Sequence, residues 1–407
     1  MRVVFVCGFA WEPKGTVSAR AFPLAAELVK RGCEVTLLLT PYDNPGESGQ
    51  KRELHGVRIV NVEVGKGPSL RHIPFNVKRL CAAIRENSPD IVHIFKPKGY
   101  AGAACTWLLM SGFRSVVLDC DDWEGWGGWN DVKNYPWIVK EFIDRQEKWL
   151  MRRAPVVTTA SRTLEHRAVK LRESQNGVFY VPNCGGSADN VAAQEKALSM
   201  TGEQAKKSFG LPEAPVIFYS GHFEVRNEIM FFCRTAALAA QRFGATIVIV
   251  GDGPESPHMK EFFAHQEGVR VHFFPRLAYD QFVTLIAASD IAAFPYPDGP
   301  IHQAKCSARI IDYMSMGKAI VSTAVGENNY YICNGESGIL TPPGEETRFA
   351  GELERLLEDS EFRAHLGRKA RQRVKERYFW SGEPVETCLK AYQQLTDATL
   401  RAKCGKI

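Results

Sequence analysis

The sequence predicts an α/β protein built from two doubly wound domains. Three observations lead there. Short apolar runs alternate with longer amphipathic stretches along the chain. The runs are nearly continuous, as in parallel strands covered on both faces, rather than alternating. The alternation pauses at a turn-rich segment, Pro182-Asn183-Cys184-Gly185-Gly186, and then starts again.

The elements follow in order. Val3–Cys7 reads as the first strand, followed by a loop, Gly8–Gly15, and a helix from about Val17 to Arg31. Phe22, Ala25, Ala26 and Val29 share one face of that helix, and Gly32 ends it. Glu34–Thr40, Val57–Val64, Asp90–Phe95, Arg114–Asp119, Val156–Ala160 and Val178–Val181 read as strands. Ile73–Asn87, Tyr100–Ser111, Trp137–Arg153 and a stretch near Thr163–Leu171 read as the helices between them. A polar stretch runs through Gly202. Val216–Tyr219, Ala245–Val250, Val269–Phe273, Ile291–Phe294, Ala319–Ser322 and Gly338–Leu340 are the strands of the second domain, and Asn227–Phe243 is its first helix. The tail from Glu345 on is helical. The expected domains are 1–185 and 186–379, enclosing a cleft, with ligands outside the carboxyl ends of the strands.

Composition narrows the class. The chain has 407 residues, 45% apolar and 24% charged, ordinary for a globular protein of two or three domains. Its net charge of +5 does not call for nucleic acid as a partner. The 11 cysteines include no CxxC, and the ten histidines no HExxH, so no metal is expected. Cys7, Cys33, Cys81 and Cys233 lie in apolar strings and read as buried thiols of a reducing compartment. The apolar start runs into Trp11-Glu12-Pro13-Lys14, too short for a signal peptide, and Gly99–Phe113 is too short to span a bilayer. A cytoplasmic protein is expected. Lys78-Arg79 and Arg152-Arg153 are either solvated faces or contacts to the inner face of a membrane.

Candidate chemistry sits in the loops after strands. Gly15-Thr16 at a helix start suits an anion, or is a plain turn. Gly221, His222 and Arg226, after the first strand of the second domain, suit a diphosphate. The surface alternative pairs Arg226 with Glu224 or Glu228. Lys305 is placed in the first turn of a helix, an unfavourable place for a cation unless an anion binds there. Asp312, seven residues on, would share its face and grip a ribose diol. Asp119-Cys120-Asp121-Asp122-Trp123-Glu124 puts acids at a strand end, with Trp123, Trp126 and Trp129 either as a sugar platform or as packing for their own loop. His93, inside an apolar strand, reads as a core histidine, while Lys96 and Lys98 face the site or solvent.

Several of these segments resemble the retaining glycosyltransferases of family 4, with the two-Rossmann-domain GT-B fold. The resemblance rests on Pro89-Asp90-Ile91-Val92-His93, Val181-Pro182-Asn183, Val250-Gly251-Asp252-Gly253-Pro254, Ala288-Ser289-Asp290-Ile291 with Pro295, and Ile311 to Thr323. The last looks like the family's L-E-x-M-A-x-G-K-P-V-V-A-T run. The resemblance implies sugar transfer from a nucleotide-diphosphate sugar, of UDP or GDP type, to a hydroxyl of a glycan, lipid-linked or small-molecule acceptor. It implies no tightly held cofactor and a role in polysaccharide or glycolipid assembly. The donor would use Gly15, Gly221, His222, Arg226, Lys305 and Asp312, with the base near Arg276 and Leu277. The acceptor would use Thr16, Lys96, Asp121, Asp122 and Trp123, with Asp121, Asp122 and Lys305 catalytic. Residues 380–407 would return to the first domain. Three positions depart from the pattern: Ala304 replaces the first acid of the E-x7-E motif, Asp312 shortens the second, and His222 replaces an arginine. Ala304 removes a contact to the donor sugar. The alternatives are a non-catalytic scaffold of the same fold and a nucleotide-sugar epimerase.

Overall fold

A computed structural model describes residues 1–12, 15–65 and 72–404, with backbone alone from 398 on. Pro13 and Lys14 of the first loop lie outside the described residues. The chain divides into two compact units. The first holds Met1–Cys184, Ala304–Cys306 and the chain from Trp380; the second holds Gly185–Gln303 and Ser307–Phe379.

The first unit has an eight-stranded sheet. Its strands are β1 (Arg2–Cys7), β2 (Glu34–Leu39), β3 (Lys51–Leu54), β4 (Val57–Asn61), β5 (Ile91–Phe95), β6 (Val116–Cys120), β7 (Val156–Thr159) and β8 (Val178–Tyr180), in spatial order β3-β4-β2-β1-β5-β6-β7-β8. All neighbours are parallel except the β3–β4 hairpin. β3 does not show in the sequence pattern because all four of its residues are exposed. The turn beside it carries positive φ at His55 (49°) and Gly56 (75°), as two-residue hairpins require.

The second unit has β9 (Val216–His222), β10 (Thr246–Asp252), β11 (Arg270–Phe274), β12 (Ile291–Phe294), β13 (Ala319–Thr323) and β14 (Ile339–Thr341). Their order is β11-β10-β9-β12-β13-β14, all parallel, which is the Rossmann order. Apolar residues of β1, β2, β5, β6 and β7 are buried almost throughout, as the continuous runs require.

Three expectations need correction. The polar stretch through Gly202 contains a helix, Ala188–Leu198, and a second, Gly202–Ser208, begins at its end, with a Thr201–Gln204 capping box. Ser220, Gly221 and His222 end β9 rather than forming a loop. Lys305 does not open the helix of Asp312. A short helix, Pro300–Ala304, stops before it, and the next, Ala308–Ser315, starts after Ser307. Asn183 explains the break: its backbone N–H meets Cys306 Sγ at 3.2 Å and its amide donates to the Cys306 carbonyl at 2.5 Å. That holds the segment in the first unit.

The C-terminal helix, Glu383–Cys404, also packs in the first unit. Val385, Cys388, Ala391 and Tyr392 are buried there, and Glu386 pairs with Arg31. Among the described residues the cysteines are free thiols, buried apart from half-buried Cys333. Among the same residues no helix is long and apolar enough to cross a membrane, and no group of three or more acids, histidines and cysteines is arranged for a metal.

Candidate functional site

Strand order reverses between β1 and β5 in the first sheet and between β9 and β12 in the second. Ligands of such sheets bind outside the strand ends at that point. Both candidate clusters lie there.

In the first unit, Lys96 follows β5 with φ at 73°, a left-handed conformation costing a non-glycine residue about 1–2 kcal/mol. Its N–H donates to the Asp119 carbonyl at 3.0 Å. Its ammonium lies 2.5 Å from Asp122 Oδ2, 3.2 Å from Asp121 Oδ1 and 3.3 Å from Glu124 Oε1. Lys98 pairs with the other Glu124 oxygen. The Thr16 hydroxyl donates to Asp121 Oδ2 at 3.2 Å. The cluster thus has three acids and two lysines.

The two aspartates are driven apart. Burial pushes Asp121 up to about 6, against the attraction of Lys96. Burial pushes Asp122 up as well, but the Lys96 charge and hydrogen bonds from Lys96 and Trp129 outweigh it and hold the carboxyl below its ordinary value. One acid of the pair can therefore exchange a proton near neutrality while the other stays charged. Burial alone would discharge Lys96; the three acids keep it protonated.

The loop carrying these acids is fastened by one helix, Trp137–Arg153. Its acids 141, 144 and 147 recur every three residues and so share a face. Glu147 accepts from the N–H groups of Glu124 (2.8 Å) and Gly125 (3.2 Å) and from Arg167 (2.7 Å). Asp144 accepts from the Trp126 N–H at 3.0 Å, and Glu141 from its indole at 3.1 Å. A Cβ on Gly125 would come within 2.5 Å of Asp144 Oδ1, so a side chain there would push the loop off its helix. Trp123 lies under the Arg167 guanidinium, 4.2 Å from its ring centre, and against Gly127 and Gly128. The tryptophan therefore helps pack its own loop.

Beneath the loop, buried Arg20 grips Asp119 with two bonds of 2.7 and 2.6 Å. It also reaches the Val181 carbonyl (2.8 Å) and Asn183 (3.1 Å). His93 is the core histidine expected, fully buried between Tyr392 (2.8 Å) and Thr158 (3.3 Å), with burial lowering its affinity for a proton.

In the second unit, Gly221 and His222 end β9. A Cβ on Gly221 would sit 2.8 Å from Arg309 Nη1. Arg309 donates to the Ser220 carbonyl at 2.5 Å and lies 5.5 Å from the Phe294 ring centre. Tyr219, Tyr296, Tyr313 and Glu228 surround it and hold it charged against burial. Glu228, however, is engaged by Tyr219 (2.9 Å) and His302 (3.0 Å). No acid lies within ion-pair distance of this half-buried guanidinium among the described residues. His222 is exposed; Glu224, 3.2 Å away, raises its proton affinity. Arg226 opens the helix Arg226–Phe243, its side chain 60% exposed and 3.9 Å from Glu255 rather than Glu224 or Glu228.

Asp312 is half-buried, and burial pushes its carboxyl up to about 7, against a hydrogen bond from Tyr279 and the Arg309 charge. Tyr279 donates to it at 2.7 Å and accepts from Gln194 at 2.7 Å. Arg276 and Leu277 follow β11, the edge strand, two strands from β9. Lys305 lies in the first unit, its ammonium 5.3 Å from the Trp129 ring centre, and not on the helix of Asp312. Gly15, exposed, and Thr16 already have helical backbone. The sequence reading missed Arg309, Tyr279 and Glu147. The dipole argument applied to Lys305 belongs to Arg309, the actual first-turn cation.

Two Rossmann-like parallel sheets, each with its own switch-point cluster, define a glycosyltransferase fold of GT-B type. A family model described as "Glycosyl transferase 4-like domain" matches residues 15–184, and one described as "Glycosyl transferases group 1" matches residues 214–359. The chain belongs to the group 1, family 4 glycosyltransferases. It is 21% identical to the sulfoquinovosyl transferase of Arabidopsis thaliana over 87% of this chain and 66% of that protein. It is 24% identical to the 2-deoxystreptamine N-acetyl-D-glucosaminyltransferase of Streptomyces fradiae over 85% of each. The match to the alpha-D-kanosaminyltransferase of Streptomyces kanamyceticus is 24% identical and spans 41% of this chain and 42% of that one. The matches thus span 42% of the kanosaminyltransferase, 66% of the sulfoquinovosyl transferase and 85% of the N-acetyl-D-glucosaminyltransferase. Among solved structures, sucrose-phosphate synthase of Thermosynechococcus elongatus superposes with a TM-score of 0.76 at 17% identity, covering 98% of this chain and 99% of that one. Anabaena HepE in complex with UDP-glucose gives 0.68 at 17% identity, covering 98% and 100%.

Proposed function

We propose that the protein transfers a sugar, with retention, from a nucleotide-diphosphate sugar held by the second unit to an acceptor hydroxyl held by the first. The observation that carries the reading is Arg309. A half-buried guanidinium that, among the described residues, has a carbonyl partner and no ion pair is a charge open to an anion. It stands at the carboxyl end of β9, where a diphosphate would be bound. Arg309, with His222 and Arg226, stabilises the leaving diphosphate as preorganised electrostatics. Asp312 and Tyr279 hold the ribose, and Gly221 lets the backbone approach the phosphates. The loop of Arg276 and Leu277 faces the base. Solved HepE binds UDP and UDP-glucose, which favours a UDP-type donor.

On the acceptor side, Asp121 takes the hydroxyl proton, since its affinity lies near neutrality. Asp122, Lys96 and Thr16 orient the acceptor. Lys305 stands beside Trp129 in the same unit as a further cation.

The test is release of nucleoside diphosphate from a panel of nucleotide sugars with and without candidate acceptors. Acceptor-dependent release, lost in Arg309→Ala and in Asp121→Asn, supports the reading. Release without acceptor would indicate the epimerase or a hydrolase. Binding of nucleotide without any turnover would indicate a scaffold.

A further inference from the structure

The outer face of the helix Trp137–Arg153 is unlike a solvated helix. Ile138, Phe142, Arg145, Trp149 and Arg152 follow one another at spacings of four, three, four and three, and so form one continuous stripe. All five are exposed. Ile138 is 72% exposed and Phe142 60%, and Trp137, at 68%, begins the helix beside them. Tyr135 and Val132, in the turn before, are exposed too.

The charges on this helix are sorted. Two of its three acids, Asp144 and Glu147, are buried and bond the backbone of the acid loop, while Glu141 lies at the margin of the stripe and pairs with Arg145. The exposed positions keep Arg145, Arg152 and Arg153. Arg145 pairs with Glu141 at 2.7 Å but remains outside, and Arg152 donates to the Leu171 carbonyl at 3.3 Å. A face of aromatic and aliphatic side chains ringed by arginines fits an anionic lipid surface, where the apolar groups enter the headgroup boundary and the guanidiniums meet phosphates. It fits a second copy of this chain poorly, because pairing two such stripes would bring Arg145 and Arg152 of both copies together out of water, with Glu141 already paired to Arg145.

We propose that this stripe docks the protein on an anionic membrane surface. The opposite face of the same helix fastens the loop of Asp121, Asp122 and Glu124, so about 10–12 Å, one helix diameter, separates lipid from acceptor loop. This further step rests on the proposed transfer reaction: the acceptor hydroxyl then belongs to a lipid headgroup.

The experiment is co-sedimentation of the full chain, without nucleotide, with vesicles of phosphatidylcholine alone and of phosphatidylcholine with phosphatidylglycerol in equal parts. Binding is expected on the anionic vesicles and to weaken with added salt. The double change Ile138→Ser with Phe142→Ser should abolish it. Arg145→Ala with Arg152→Ala should weaken it by about an order of magnitude. All four side chains are exposed, so an unchanged thermal midpoint will show that the variants fold. Failure of the wild type to bind, equal binding to both vesicles, or binding untouched by the variants would overturn the proposal. So would a concentration-dependent dimer that Ile138→Ser with Phe142→Ser dissociates. Because no nucleotide is present, vesicle binding stands or falls separately from sugar transfer. Turnover on a water-soluble acceptor should be equal in the wild type and the Ile138→Ser, Phe142→Ser variant.

Discussion

At the scale of single residues, the two clusters hold charges that the fold itself does not favour. Asp312 is the plainest case, since burial raises its carboxyl to about 7. The sign follows. A carboxyl raised above its unfolded value of 3.8 favours the folded state when protonated, and that contribution is lost as pH climbs toward 7. Asp312→Asn, neutral throughout, should therefore gain stability over the wild type between pH 5 and 8, by roughly 1–3 kcal/mol. Denaturant titrations at the two pH values check this, and an unchanged difference would contradict it. The same variant should bind nucleotide more weakly, because it loses its acceptor for a diol. Arg309 differs, because its surroundings hold it charged. Arg309→Met should leave the protein folded while diphosphate affinity falls by about tenfold or more. His93 was legible from the alternation of its strand. Arg309 was not, because its role depends on a helix starting three residues later than the sequence pattern suggests.

At the scale of elements, the helix Trp137–Arg153 joins the acid loop to the surface. Glu147 is its anchor, buried and bonded to two N–H groups and an arginine. Glu147→Ala should cost about 3–5 kcal/mol by leaving Arg167 and two amides unpaired. Glu147→Gln, which keeps an acceptor, should cost less. Amide exchange at Glu124 and Gly125 should quicken in both variants before the sheet itself opens. The helix's bounds could be read from the sequence, since its periodicity is strong and Pro136 precedes it. Its inward acids could not, because their partners are backbone groups with no side-chain signature. The β3 hairpin and the helices after Ser187 escaped for a related reason: they bury little, so apolar periodicity is weak, and only His55-Gly56 and the Thr201–Gln204 capping box marked them. The break at Lys305 comes from Asn183, a contact across 123 positions that no local pattern records.

At the scale of the whole molecule, two units with separate cores should respond separately. Donor binding belongs to the second unit in the proposed reaction, so a nucleoside diphosphate should raise that unit's thermal transition and leave the first in place. A ligand at 100 times its dissociation constant adds about 2.7 kcal/mol, or roughly 5–11 °C for a unit of this size. Tyr392→Phe, which removes one of the two hydrogen-bond partners of buried His93, should do the reverse and lower only the first transition. The doubly wound class and the alternation of elements were legible in the sequence, whereas the order of strands in each sheet came from the structure. The allocation of 304–306 to the first unit was not.

In the proposed reaction the second unit holds a nucleoside diphosphate at the carboxyl end of β9, beside Arg309. Titration calorimetry of the wild type and Arg309→Ala with UDP, GDP and ADP tests it most directly. The account predicts saturable binding of one of these diphosphates, weakened at least about tenfold in Arg309→Ala, with both proteins folded. Equal affinity in the two proteins, or no binding of any diphosphate by the folded wild type, would contradict it.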